Sequence, residues 1–461
     1  MTRSAAQYAV SGDRKTRTSG SGKQTACRLI AWLISVGSVI RVGHVLLPGW
    51  QSMKGWEAYW TAQALSTGNG YSFPFDSPWP FDPIGTSGFH PSAWTDPFYT
   101  LLLAGLIRLF GSHHQLAAAV LNLALLLAVF GLTYRVAERL VSPPAGVATV
   151  LVLALNRAFS WNALYMNNTM LAATFVIFSA LMLARFLAGP SARGAAALGL
   201  VLGLTALACP GAQLFIPVAA VAVVASGYNR LPAVSRASIL LIVTVLTVSP
   251  WAIRNYLALG EFVPGRTGLG HNLFLGVIVP AGMTMPESLP VHLTPPWRAK
   301  TARSSVDEIV SSPAKLDALY RYLTDYSNAV GSPGYSGLNE AQRDAWLLQQ
   351  SKAFVIAHPF FSAQLALAKL RIFIRIMGFL GALVCLLAAI GGVLALKTPT
   401  VLTLAVWAGS FVAPFLLVIP FYDRYRAPIE PILVVLAVFA VWHVSTIASR
   451  NYTLGQLRSV H

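Results

Sequence analysis

The chain has 461 residues, 55% of them hydrophobic and only 11% charged, and its mean hydropathy is +0.61. A soluble protein of this length would need far more charge, so the composition excludes a soluble enzyme and describes a polytopic membrane protein. The net charge of +17 would suit a nucleic-acid partner, but Lys and Arg punctuate apolar stretches instead of forming one patch, so they report membrane orientation.

Residues 1–26 are polar and basic and read as a disordered cytoplasmic leader that runs, without a cleavable signal, straight into the first span at 27–47. With a basic start, that span places the N-terminus in the cytoplasm and the following loop outside. The first outer loop, 48–115, holds two interfacial helices. In the first, Trp56, Tyr59 and Trp60 recur at helical spacing, Glu57 falls in the opening turn, and Gly68 and Gly70 end it. The second, 96–110, is apolar but shorter than the roughly 20 residues that a span needs, and it carries Arg108.

If 96–110 does not cross, the later spans alternate so that Arg135, Arg139, Arg193, Arg230, Arg236, Lys397 and Arg450 all face the cytoplasm. On this reading the fold is all-α, with about ten transmembrane helices, interfacial helices and an outer-face subdomain. An N-terminal transmembrane module covers 27–253. Residues 254–377 form the outer subdomain, with helix-forming stretches at 306–326 and 338–356 and an amphipathic surface helix at 360–377. C-terminal spans occupy 378–447 and a cytoplasmic tail 448–461. Cys27, Cys209 and Cys385 show no metal-type spacing, and no metal ligand set is expected.

Several short patterns recur along this path. Glu57, Tyr59, Leu65, Gly68, Gly70 and Tyr71 form one, and Pro97, Tyr99, Leu109, Phe110 and Gly111 a second. Pro250, Trp251, Arg254 and Asn255 give P-W-x-x-R-N, followed by Gly260, Phe262, Val263 and Pro264; His358 and Pro359 precede the late surface helix; Arg424, Tyr425, Arg426, Pro428 and Pro431 give R-Y-R-x-P-x-x-P. In order and placement these resemble the GT-C superfamily of membrane glycosyltransferases, in particular the protein O-mannosyltransferase and lipid A aminoarabinose transferase group. Two departures stand out: Met170, after Thr169, replaces an acid that many members carry there, and the first loop offers one acid, Glu57, where members often have two.

The resemblance implies an inverting transfer of a sugar from a polyprenyl-phosphate donor to a hydroxyl acceptor, on the outer face of what would be a bacterial inner membrane. Such a reaction expels a phosphate that needs no general acid, so one base suffices, and Glu57 is the candidate. Arg254, Arg424 and Arg426 lie at outer membrane ends, where guanidinium groups could pair with donor phosphate oxygens or simply with ordinary lipid headgroups. Arg41, three residues before His44, is either a functional charge or a structural partner of Glu57. Tyr59 and Asp96 complete the expected substrate-binding set. Asp76, Asp82 and Asp96 are spare carboxylates, the last two read as turn or helix-start residues before proline. His90 and His271 read as hydrogen-bonding loop residues, and dependence on a divalent metal is left open. The other classes to weigh are a transporter or lipid flippase, which would carry polar residues near the midplane, and an O-antigen-ligase-like transferase with its key residues in one late loop.

Cysteine-accessibility labelling is expected to find both termini in the cytoplasm and residues 57, 96 and 254–360 outside. Labelling of positions 111–114 from the cytoplasm alone would show that 96–110 spans and would invert the helices that follow.

Overall fold

The structure, a computed structural model, describes residues 16–53, 55, 57–75, 88–225, 230–277, 338–418 and 423–458. It is helical but for one short hairpin. Helix α1 (Thr16–Leu46) leads through a 3-10 turn to α2 (Glu57–Ser66); strands β1 (Ser72–Phe75) and β2 (Gly88–Pro91) pair antiparallel with Phe73 opposite His90; then α3 (Pro97–Phe110) follows. The next helices are α4 (His114–Leu140), α5 (Pro143–Leu155), the short α6 (Arg157–Ser160), α7 (Thr169–Ala188), α8 (Ala192–Ala208), α9 (Phe215–Ala225), α10 (Arg230–Leu259) and α11 (Leu269–Val277). After 278–337, α12 (Glu340–Ala357), α13 (Pro359–Arg375), α14 (Gly378–Leu394), α15 (Pro399–Phe415), the single turn α16 (Asp423–Arg426) and α17 (Glu430–Arg458) complete the described chain.

Local sequence explains many of the boundaries. Ser142 accepts a bond from the Ala145 N–H at 3.3 Å and Pro143 opens α5; Ser191 does the same for α8 through Gly194; Asn339 and Gln342 form a capping box on α12. Helix α3 starts differently. Asp96 holds the cap position before Pro97 with extended backbone, yet its side chain makes no cap bond; Gly111, at φ 50°, ends the helix in a conformation that suits glycine.

The large core joins α4, α5, α7, α8, α14, α15 and α17 through buried Phe130, Leu153, Ile177, Leu202, Val384 and Leu436, and Phe215 stacks on Trp407 at 4.7 Å and 7°. Where α8 crosses α10 and α14 crosses α17 the backbones nearly touch: a Cβ on Gly199 would stand 2.4 Å from the Leu240 carbonyl, and one on Gly391 2.2 Å from that of Leu436. Small residues let membrane helices approach closely enough for dispersion to hold them, because lipid tails offer no hydrophobic drive between helices. Large apolar side chains such as Leu231, Leu257 and Phe379 are exposed, as a lipid-facing surface requires.

Among the described residues five helices are long and apolar enough to cross a membrane, or up to seven if the two bent pairs, 73° at α5 and 105° between α12 and α13, each count as one span. Of the ten expected spans, α8, α9, α14 and α15 belong to apolar helical stretches of 10–17 residues, at the lower end of what a crossing takes. The leader, where disorder to residue 26 is expected, is helical from Thr16. Gln24 and Arg28 both bond to Glu138 on α4, at 3.1 and 3.2 Å, and these contacts carry α1 beyond its apolar part. Asp76, Asp82 and the stretch 306–326 lie outside the described residues.

One ionic knot ties the C-terminal helices together. Arg426 and Glu430 are both fully buried and paired at 2.7 Å. The remaining guanidinium donors reach the carbonyls of Phe373 and Ile374 in the last turn of α13 and that of Gly381 in α14, at 2.8, 3.1 and 2.8 Å. Asn156, just after α5, donates to Glu430 at 3.0 Å. Removing one partner of such a pair strands a charge without water, so Arg426→Met should lower unfolding stability in detergent by roughly 3–5 kcal/mol, and Arg426→Met with Glu430→Leu should recover most of it. A single variant that melts with the wild type would show that the pair is not what holds these helices.

Candidate active site

Five separate stretches of chain converge on Asp96. Helix α2 packs on α3, which brings the opening turn with Glu57 toward the start of α3. Gly55 forms a parallel bridge with Met166, and this fastens the first loop to the segment that precedes α7. There Asn168 spends both amide protons, one on Asp96 Oδ2 at 2.5 Å and one on the Ala208 carbonyl at 3.1 Å. From the far side Arg266, between α10 and α11, places its guanidinium 3.6 Å from Asp96 Oδ2 and over the Trp94 ring, 5.7 Å from the centroid. Arg424 and Tyr425 on α16 add the fifth contribution. Arg424 stacks on Tyr425 and donates to its hydroxyl at 2.9 Å.

The Arg266 loop is held in register by hydrogen bonds that the hairpin region shares. The Thr267 N–H donates to the Ala93 carbonyl at 2.9 Å, and Glu340 on α12 accepts from both the Ala93 N–H at 2.9 Å and the Thr267 hydroxyl at 2.5 Å. The start of α11 docks on α12 through the His271 N–H, which donates to Asp344 at 2.9 Å. The His271 ring lies edge-on to Trp94, and burial pushes its imidazole down to about 3, so it is neutral.

Asp96 is 5% exposed. Burial pushes its carboxyl up to about 6; Arg266 and, more weakly, Arg424 and Asn168 pull it down, while Glu57 pushes it up. These opposing influences show that two acids and two guanidinium groups share one electrostatic neighbourhood. The second oxygen of Asp96, Oδ1, has no hydrogen-bond partner among the described residues. A buried acceptor left open is costly unless a ligand or water supplies the donor. Glu57 is half-buried beside it. The site can therefore receive a group carrying both negative charge, for the arginines, and hydroxyls, for the carboxylates.

Of the residues expected from sequence, Glu57, Asp96 and Arg424 meet here, and Arg41, Tyr59, Arg254 and Arg426 do not. Arg254 clamps the base of the hairpin. It donates to the Ser92 carbonyl at 2.6 Å, to Asn255 Oδ1 at 3.0 Å and to the Tyr71 carbonyl, and it stacks between the Tyr71 and Trp251 rings at 5.0 and 5.2 Å. Arg426 is consumed by the buried knot and has no donor left for a phosphate. Arg41 donates to the Ala154 carbonyl at the end of α5, at 2.7 Å, and does not pair with Glu57. The Tyr59 hydroxyl accepts from Gln63 at 2.8 Å and meets His114 at 3.3 Å, which ties α2 to the start of α4. Arg266 and Asn168 were not expected. Arg266 falls two residues after the Val263-Pro264 pattern, and Asn168 immediately precedes Thr169, so both adjoin stretches that the sequence singles out. Met170 is fully buried in the apolar core. Among the described residues no group of three or more His, Cys, Asp or Glu side chains could hold a metal ion.

No protein-family model matches this chain, and no curated protein sequence does. Solved structures do. A crystal structure of the Archaeoglobus fulgidus oligosaccharyltransferase in complex with zinc and sulfate matches with a TM-score of 0.52 at 13% identity, over 94% of this chain and 51% of that one. The oligosaccharyltransferase AglB of the same organism, in complex with an inhibitory peptide and a dolichol-phosphate, matches with a TM-score of 0.52 at 14% identity, over 95% and 52%. ArnT from Cupriavidus metallidurans, bound to undecaprenyl phosphate, aligns over 88% of this chain and 77% of its own at 14% identity, with a TM-score of 0.35 that carries no argument. This chain spans about half the length of the archaeal chains it matches, and the likeness is one of fold. Over nearly all of its length, then, the protein shares the fold of these archaeal oligosaccharyltransferases.

Proposed function

We propose that the protein is an inverting membrane glycosyltransferase that moves a sugar from a polyprenyl-phosphate donor to a hydroxyl acceptor on the outer face of the membrane. The observation that carries this reading is the convergence of Glu57 and Asp96 with Arg266 and Arg424 at one place beside the apolar bundle. The archaeal neighbour of the same fold that is in complex with a dolichol-phosphate points to the same class of donor.

The chemistry follows from that arrangement. Arg266 and Arg424 hold the donor phosphate and gain interaction as negative charge builds on it. Glu57 takes the proton from the acceptor hydroxyl as its oxygen attacks the anomeric carbon on the face opposite the phosphate. The carbon–oxygen bond to the phosphate breaks, polyprenyl phosphate leaves as the anion, and the new glycosidic bond has inverted configuration. Asp96, fixed by Asn168 and Arg266, turns its open Oδ1 toward a sugar hydroxyl and binds without exchanging a proton.

Purified protein in lipid, assayed with a polyprenyl-phosphate sugar and an acceptor, tests each role. Glu57→Gln should cut turnover by roughly 10²- to 10⁴-fold and leave donor affinity intact. Transfer at near wild-type rate would take Glu57 out of the mechanism. Arg266→Lys and Arg424→Lys keep the charge but lose the paired-donor geometry, so donor affinity should fall for both. If Arg266→Ala and Arg424→Ala each bind donor like the wild type, the arginines are lipid anchors and the assignment of a phosphate site is wrong.

A further inference from the structure

Lys369 lies in the middle of α13 and is 2% exposed, with no acid near enough to pair with it among the described residues. Its ammonium instead donates to three main-chain carbonyls: Gly276 at 2.7 Å, Leu417 at 3.1 Å and Val418. Gly276 is in the last turn of α11, and Leu417 and Val418 lie just past the end of α15. Helix ends leave carbonyls without intrahelical partners and carry partial negative charge, so one cation between two such ends replaces a counter-ion. A buried lysine stem normally lets its charge reach water. This one does not, and that calls for a reason beyond packing.

The reason lies one turn further along the same helix. Phe373 and Ile374 of α13 supply the carbonyls that hold Arg426. Lys369 and Phe373 are four residues apart, a rise of about 6 Å along an α-helix. Helix α13 therefore pins the chain at Val418, through Lys369, and again at Arg426, through Phe373 and Ile374. Arg424 and Tyr425 lie between the two pins. The third bond, to Gly276, fastens to the same helix the end of α11, whose start follows Arg266.

We propose that Lys369 is a positioning residue for the phosphate site, fixing where Arg424 stands by seating helix α13, whose last turn holds Arg426 two residues further on. This rests on the reading of Arg424 as a phosphate ligand. Losing one charge-assisted contact weakens binding by roughly tenfold, and misplacing a reacting group by about 1 Å costs turnover up to about 10²-fold.

The test compares wild type, Lys369→Met, Arg424→Ala and the double variant in lipid nanodiscs, with undecaprenyl phosphate as the binding probe. A second readout needs no ligand: the rate at which phenylglyoxal modifies Arg424, followed by peptide mass spectrometry, with exposed Arg139 as the internal standard. Lys369→Met is expected to weaken probe binding about tenfold, to add no further loss in the Arg424→Ala background, and to change the Arg424 modification rate several-fold while Arg139 keeps its rate. Wild-type binding by a folded Lys369→Met protein, or losses that multiply in the double variant, would overturn the proposal. Should the wild type itself not bind the probe, the phosphate-site reading falls, and the modification rate decides positioning alone: a change supports it and an unchanged rate ends it. If Lys369→Met does not fold, Lys369→Gln, which keeps two donors, takes its place. If neither folds, the lysine is a fold determinant only and the positioning role is refuted.

Discussion

A charge that cannot reach water must find all of its partners inside the protein, and much of this structure follows from how that demand is met. Arg426 is the plainest case. Its guanidinium is closed off by Glu430 and by carbonyls on both sides of the single break between α13 and α14, so the break and the arginine stabilise each other. Lys369 answers the same demand at the ends of α11 and α15.

The site is the complementary case, in which the demand is left partly unmet. Arg426 has its donors filled by the fold, whereas Asp96 keeps one oxygen open and Arg266 keeps a quarter of its side chain exposed. Two cations and two acids near one another roughly balance, which keeps the cluster tolerable when empty. A phosphate entering that balance would be met by both guanidinium groups.

Much of the fold was legible in the sequence because apolar runs and basic turns are long-range, redundant signals. Nearly all the expected apolar runs became helices with ends close to those read from pattern. The step from helix to span is less legible, because α8, α9, α14 and α15 are apolar yet short, and burial against neighbours gives the same composition as exposure to lipid. The site was half legible. Glu57, Asp96 and Arg424 lie in segments whose residue types already suggest the membrane surface. Arg254 and Arg426 carry the same chemical signature as Arg424, and sequence cannot show that their hydrogen bonds end on Ser92, Tyr71 and Phe373. Asn168 escaped notice because a neutral amide gives no charge signal; its role exists only through contact with Asp96 and Ala208.

Asp96 also shows what the site takes from the rest of the molecule. It occupies the cap position of α3, where an aspartate side chain would ordinarily bond to the first turn and contribute roughly 0.5–2 kcal/mol, yet that bond is absent because the carboxylate is turned to Asn168 and Arg266. Thr100 makes up part of the deficit by donating its hydroxyl to the Asp96 carbonyl at 2.9 Å. The start of α3 is thus less well fastened than its sequence allows. A chain evolved for stability alone would turn this side chain back onto its own helix, or replace it, and the thermostability recovered would be a measure of what activity had required.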